Sequence, residues 1–291
     1  WKKHFAYQFN NEMKNCPKSI NCKGKLLELE TPVVIGIINI TPDSFYRGSR
    51  LQQIEAIEKK IKLHIEEGAS IIDIGAFSSR PGAEIPDEKT EWVRLLPALN
   101  LITEKFQEII FSLDTFRSSI AEKAVSDFNI SIINDISAGN LDPKMVETVA
   151  KLAVPYIAMH MQGTPDIMQV NPSYKNISNE IIHFFSDKIS IMKDAGIKDI
   201  IIDPGFGFGK TIEHNFELLH NLNLLKILNC PILVGISRKA TIYKTLGITP
   251  EESLNGTTVL NTLALSKGAS ILRVHDVKPA VEAIKLLTTV L

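Results

Sequence analysis

Short apolar runs rich in isoleucine and valine alternate along the chain with longer segments whose apolar residues recur every three or four positions. The short runs predict strands at 33–40, 70–76, 109–114, 130–135, 155–160, 199–203, 231–236 and 269–275. They are nearly continuous in hydrophobicity, as expected of a parallel sheet covered on both faces. The longer segments predict helices near 52–67, 88–106, 117–127, 142–152, 176–195, 212–228, 250–267 and 277–290. Ile54, Ile57, Ile61 and Ile65 make one stripe, stopped by Gly68. Ile181, Phe184, Phe185, Ile189 and Met192 make another, followed by Gly196. A third, Val146, Val149 and Ala150, follows an Asp142-Pro143 start, where proline suits the first turn.

Eight strand-then-helix units favour an α/β fold of the (β/α)8 TIM-barrel type, with an open doubly wound sheet as the alternative. The barrel is assigned to 32–291, and residues 1–31 are read as an N-terminal extension capping its bottom. The chain of 291 residues, 44% hydrophobic and 22% charged, is large enough for one such core. A net charge of −1 gives no reason to expect nucleic acid or an anionic membrane as partner. Cys16, Cys22 and Cys230 form no Cys-x-x-Cys pair, so reduced thiols are expected. No run is long enough to span a membrane, and Trp1-Lys2-Lys3-His4 lacks the apolar stretch of an export signal. These features predict a cytoplasmic protein.

Polar residues then change the picture, because they cluster where strands end. Asn39 closes the first strand and leads to Thr41-Pro42-Asp43. The second carries Asp73 and runs toward Ser79-Arg80-Pro81-Gly82. The third ends at Asp114, the fourth at Asn134-Asp135, the fifth at Met159-His160 and the sixth at Asp203. The seventh leads to Ser237-Arg238-Lys239, and the eighth holds Arg273 and His275. In a barrel these ends meet at one C-terminal mouth, the usual place for chemistry. Burying so many polar groups opposes stability unless they serve a shared site. Carboxylates at Asp114 and Asp203, the amide of Asn134 and the ammonium of Lys239 suit a fused heterocycle bearing amino, ring N–H and carbonyl groups. Arg273 and His275, two apart on one strand, point to the same face, where barrels commonly bind phosphate.

Seven segments in order carry a resemblance. They are Gly36-Ile37-Ile38-Asn39-Ile40-Thr41-Pro42-Asp43-Ser44-Phe45, Ser79-Arg80-Pro81-Gly82, Leu113-Asp114-Thr115, Asn134-Asp135, Asp203 through Lys210, Gly235 through Lys239, and Arg273-Val274-His275-Asp276. Together they resemble the dihydropteroate synthases, over about residues 33 to 290. The resemblance implies a transferase of folate biosynthesis. It would condense 6-hydroxymethyl-7,8-dihydropterin diphosphate with 4-aminobenzoate, give 7,8-dihydropteroate and diphosphate, and be a sulfonamide target. It implies pterin contacts from Asp114, Asn134, Met159, Asp203, Phe208, Lys239 and Arg273. Diphosphate would fall to Asn39, Arg273 and His275, with Asn39 also touching a Mg²⁺ ion. Aminobenzoate would lie against Ser79, Arg80, Pro81 and Phe208, while Asp43, Lys239 and Arg80 would be catalytic. Loops at about 41–53 and 76–90 would close over the substrates, and helices near the C-terminal end would form a homodimer.

Some positions depart from the family pattern. Tyr46-Arg47-Gly48-Ser49 replaces the usual Ser-Asp-Gly-Gly, Phe77 and Ser79 replace Glu and Thr, and Ala240 stands where Ser commonly follows the lysine. Three further readings compete: a pterin-binding methyltransferase, a non-catalytic pterin-binding relative, and a nucleotide- or sugar-phosphate barrel enzyme. His160 is read as a hydrogen-bonded structural histidine, and Gly205, Gly207 and Gly209 as a tight turn. Lys210 and Arg238 read as surface charges, while Asp73 and Asp135 stay open between structural and site roles.

Overall fold

The structure, a computed structural model, describes residues 16–40, 50–76 and 85–290. Its first element is an antiparallel hairpin of β1 (Ser19–Cys22) and β2 (Lys25–Glu28). Lys23 and Gly24, both at positive φ, make its two-residue turn, as strand twist in a hairpin requires.

Strands β3 (Val33–Asn39), β4 (Ile71–Gly75), β5 (Ile110–Asp114), β6 (Ile132–Asp135), β7 (Tyr156–Met159) and β8 (Ile200–Asp203) follow in sequence order around the sheet. β9 (Leu233–Val234) and β10 (Ile271–Val274) complete it, with β10 paired to β3 and β9 to β10. All these pairs are parallel, and a parallel bridge from Ile202 to Ile232 joins β8 to the β9 segment. That bridge closes the sheet into a barrel, so the open-sheet alternative is set aside.

The helices are α1 (Arg50–Glu66), α2 (Glu88–Lys105), α3 (Ser118–Asp127), α4 (Met145–Leu152) and α5 (Ile177–Asp194), then α6 (Ile212–His220), α7 (Ala240–Leu246), α8 (Leu254–Ser266) and α9 (Val277–Val290). Local chemistry sets several starts. The Asp87 carboxylate accepts from Thr90 N–H, the Asn176 side chain from Asn179 N–H, and Thr211 forms a reciprocal capping box with His214. The expected helix at 212–228 is divided: α6 ends at Asn221, and Leu222–Leu228 continues as 3₁₀ turns. The segment expected as a helix from 142 first turns about Asp142, whose carboxylate accepts from Lys144 N–H, before α4 begins. Residues 231–236 pair less than expected, since Pro231 has no N–H to donate.

Strand parity divides the core in two. Val34, Ile38, Ile72, Ile74, Phe111, Leu113, Ile133, Tyr156, Ile202, Val234 and Leu272 face outward and pack under the helices. Ile35, Ile71, Ile110, Ile132, Ile157, Ile201, Leu233 and Ile271, one from each strand, form an inward layer. Ile20, Cys22 and Leu29 of the hairpin segment join that layer and seal one end of the barrel. The hairpin is also held by Asn21 N–H donating to Asp199 at 3.1 Å and Lys23 Nζ to Val125 O at 2.7 Å. This contact of the hairpin segment rests on burial of Ile20 and Leu29, each worth about 1.5–3 kcal/mol when removed from water; the rest of the expected extension, residues 1–15, lies outside the described residues.

Candidate active site

Because side chains alternate along a strand, each inward layer dictates the next. Two residues beyond the isoleucine layer the inward positions become Asp73, Ser112, Asn134, Met159, Asp203, Gly235 and Arg273. Asp114 lies two beyond Ser112 on the same face. Sequence parity thus converts one apolar floor into a polar chamber at the C-terminal end of the strands.

Arg273 ties this chamber together. Its Nε lies 2.7 Å from Asp73 Oδ2, and its Nη2 lies 2.6 Å from the same oxygen and 2.7 Å from Asp114 Oδ2. Asn134 Nδ2 donates to Asp73 Oδ2 at 3.1 Å, and Ser112 Oγ donates to Asp73 Oδ1. Asp73, left open by the sequence, therefore belongs to the floor of the chamber as the common acceptor of three strands. Ser112 joins it, and its signal was its position two residues before Asp114.

On the far side of the barrel, Asp203 Oδ1 accepts from Gly205 N–H at 2.7 Å, which fixes that carboxylate against its own loop. Lys239 Nζ donates to Phe206 O at 2.6 Å and stands 4.5 Å above the Phe208 ring. Gly235 leaves the middle open: a Cβ there would lie 3.8 Å from Asp203 Oδ2 and 3.9 Å from both Arg273 Cβ and Lys239 Nζ. Ile136, Met159, Met168 and Phe208 form a small apolar cluster, which brings Met159 and Phe208 together beside the chamber. His275 Nδ1 lies 3.1 Å from Ser237 Oγ, and that hydroxyl also accepts from His275 N–H. Asn39 ends β3 on the inward parity, opposite Gly75. Asp43, Ser79, Arg80 and Pro81 lie outside the described residues, as do Arg47, Ser49 and Phe77.

Burial sets the electrostatics. Desolvation raises the Asp114 carboxyl to about 7, with Arg273 opposing the rise and Asp73 adding to it. Asp203 is raised for the same first reason, against the pull of Lys239. Burial lowers Lys239 to about 8, with Asp203 opposing. Burial would also lower the Arg273 guanidinium, but Asp73 and Asp114 more than offset it and its affinity for the proton rises. The chamber thus holds one acid and one base near neutrality, Asp114 and Lys239, which suits a ligand that offers both N–H donors and an acceptor.

The remaining polar residues sort by which way they point. Asp135 faces outward and accepts from Ser137 N–H, Ser137 Oγ, Gly139 N–H and Tyr156 Oη, which shapes the β6–α4 turn. Its role is structural. His160 is buried edge-on to Phe184, with ring centroids 4.8 Å apart, in keeping with a structural histidine. Lys210 is not a surface charge: it is 3% exposed, with Nζ at 3.1 Å from His160 Nδ1. Arg238 is half-buried in a two-pronged pair with Asp276, both contacts at 2.8 Å. Gly205, Gly207 and Gly209 all have positive φ, and a Cβ on Gly205 would meet His160 O at 1.9 Å. They form the tight turn that the sequence suggested.

Comparison with known proteins agrees with this geometry. A family model described as pterin binding enzyme matches residues 35–275. The dihydropteroate synthase of Escherichia coli K12 is 38% identical over 271 residues, covering 92% of this chain and 95% of that protein. The Clostridium beijerinckii dihydropteroate synthase is 40% identical over 260 residues, covering 88% and 93%. Among solved structures, Xanthomonas albilineans dihydropteroate synthase with 4-aminobenzoic acid superposes with a TM-score of 0.86 at 36% identity, covering 94% of this chain and 98% of that one. The same enzyme in complex with 7,8-dihydropteroate gives 0.83 at 34% identity, covering 94% and 98%. The chain belongs to the pterin binding enzymes and, within them, to the dihydropteroate synthases.

Proposed function

We propose that the pterinylmethyl transfer this chain carries out, from 6-hydroxymethyl-7,8-dihydropterin diphosphate to 4-aminobenzoate, runs by dissociative loss of diphosphate. The observation that carries the reading is the inward set of Asp114, Asn134, Asp203, Lys239 and Arg273 around the open space at Gly235. A pterin seated there finds carboxylate acceptors for its amino and ring N–H groups and an ammonium donor for its carbonyl. Met159 and Phe208 pack against its face. Because burial raises Asp114 and Asp203, N–H donors from the ligand favour their ionised forms.

Diphosphate is then held toward the β3 and β10 ends, by Asn39, Arg273 and His275. The C–O bond breaks with its electron pair on diphosphate, and the electron-rich dihydropterin stabilises the methylene cation, aided by Asp43. The aminobenzoate nitrogen, against Ser79, Arg80, Pro81 and Phe208, forms the new C–N bond and releases a proton. Arg80 and Lys239 keep the two substrates in register.

A Mg²⁺ ion suits this site in donor chemistry. Asn39 offers one hard amide oxygen, and no group of three His, Cys, Asp or Glu side chains converges among the described residues. Its other ligands would therefore come from diphosphate and water, the usual habit of Mg²⁺. When bound, the ion would neutralise charge growing on the leaving group.

Three other features complete the proposal. Leu254, Leu286 and Val290 of α8 and α9 are exposed around an apolar groove, which supports a homodimer through these helices. Cys16, Cys22 and Cys230 are unpaired, which favours a cytoplasmic setting. A solved Yersinia pestis dihydropteroate synthase complex contains a sulfonamide drug, and the same aminobenzoate site is proposed as the sulfonamide target here.

The direct test is turnover with both substrates and Mg²⁺, following diphosphate and dihydropteroate together. Equal release of both products, lost in Lys239→Ala, is expected. Diphosphate release without dihydropteroate would reject the proposed attack by the arylamine.

A further inference from the structure

Lys210 is a buried lysine with no assigned part in the chemistry, and its surroundings give it one. Its Nζ donates to Gly205 O at 2.9 Å and Phe208 O at 3.0 Å, and meets His160 Nδ1 at 3.1 Å. The nitrogen thus meets three close acceptors, with His160 O a fourth at 3.5 Å, and a protonated Lys210 requires His160 to be neutral with its Nδ1 unprotonated. Burial first, and then the Lys210 charge, push His160 down to about 2, so its ring is neutral at any working pH, while burial lowers Lys210 itself to about 7.

The two carbonyls bracket the Gly205–Phe208 turn from below. From above, Lys239 Nζ takes the intervening Phe206 O at 2.6 Å and rests 4.5 Å over the Phe208 ring. At the strand end, Asp203 Oδ1 holds Gly205 N–H at 2.7 Å. The turn is therefore clamped between two lysines. Its two glycines, at φ +70° and +80°, carry no side chains of their own, and the middle of the turn is further held at Gly207, whose N–H donates to Asn215 Oδ1 at 2.7 Å and whose carbonyl accepts from Gln169 Nε2 at 2.6 Å. A buried cation is costly to keep, and an aliphatic residue would pack in its place without that cost. Simple stability does not explain the choice.

We propose that Lys210 is a positioning residue: by clamping the Gly205–Phe208 turn to the end of β7, it sets the height of the Phe208 ring against the acceptor substrate. This rests on the reading that Phe208 faces aminobenzoate. The pterin contacts of Asp114 and Asn134 stand on other strands, tied to Asp73 and Arg273, and do not pass through Lys210. The inference therefore predicts a larger loss for aminobenzoate than for the pterin, which touches Phe208 but also draws on these other strands.

The test compares Lys210→Met with wild type and with Phe208→Ala, in steady-state turnover and in direct binding of the pterin. In Lys210→Met, which keeps the aliphatic length and removes the donors, KM for aminobenzoate should rise about tenfold or more while pterin affinity falls by a clearly smaller factor. His160→Leu, which removes one acceptor and leaves the ammonium, should move KM in the same direction by a smaller factor, and serves if Lys210→Met does not fold. Unchanged aminobenzoate KM in both variants, with Phe208→Ala raising it, overturns the role of Lys210 alone. Unchanged KM in all three overturns the placement of the acceptor as well. Equal losses for pterin and aminobenzoate reduce Lys210 to general support of the fold and also overturn the proposal.

Discussion

Asp203→Asn isolates the charge of one carboxylate while keeping its shape. Asp203 is buried, and its Oδ1 already accepts from Gly205 N–H at 2.7 Å, a bond the amide oxygen of Asn can still accept. The turn should therefore stay in place. What changes is Oδ2, the oxygen 3.8 Å from the open position at Gly235 and facing the chamber. An amide nitrogen there presents donors to a pterin edge that also presents donors. One charge-assisted hydrogen bond is then lost, worth about 1.5–3 kcal/mol, or roughly ten- to a hundredfold in affinity. Removing the negative charge also removes a partner of Lys239, whose proton affinity should fall further below its ordinary value. The assay is calorimetric titration of a non-reactive pterin into wild type and variant, with thermal melts as a control for folding. An affinity loss in that range with a preserved melt is expected. Pterin affinity within about threefold of wild type would refute the placement of the pterin edge against Asp203.

Other perturbations probe the same chamber. Burial puts Asp114 at about 7, and it must be ionised to accept from the pterin, so binding should release a proton around neutrality. As pH falls below 7 the protonated acid competes, and pterin affinity should weaken by up to about tenfold per pH unit; a flat profile from pH 5.5 to 8.5 would reject this. Gly235→Ala places a methyl in ordinary contact with Asp203, Arg273 and Lys239. The melt should move by less than about 3 °C, while pterin affinity, measured by titration, falls at least about tenfold because the ligand is displaced. Chelation of divalent cations should stop turnover yet leave binding of a pterin lacking diphosphate unchanged, as titration with and without EDTA would show.

The eight strands were legible because a parallel strand buried on both faces must be apolar at nearly every position. The hairpin at Ser19–Glu28 was not, since its alternation is confined to four residues per strand and Leu26 lies exposed. The Leu222–Leu228 turns were read as helix because Leu222, Leu225 and Leu228 keep a spacing that suits both α and 3₁₀ geometry. What breaks the helix is Asn221, whose cap no periodicity in the apolar residues reveals.

The site divides along the same physical line. Asp114, Asn134, Asp203 and Arg273 stood out because an apolar run has no other use for them. Asp73 and Asp135 stood out equally, yet one completes the chamber and the other shapes an outer turn. Parity separates them, through the register that pairs Asp73 with Ser112 and Asp114 with Asn134. In a strand buried on both faces, however, hydrophobicity carries no parity, because inside and outside are both apolar. Lys210 was harder still, for it belongs to no strand or helix and its burial follows from the turn folding back over His160. Its signal was the three alternate glycines before it. A turn at positive φ aims successive carbonyls in different directions, and a lysine at its exit is the residue that can gather them.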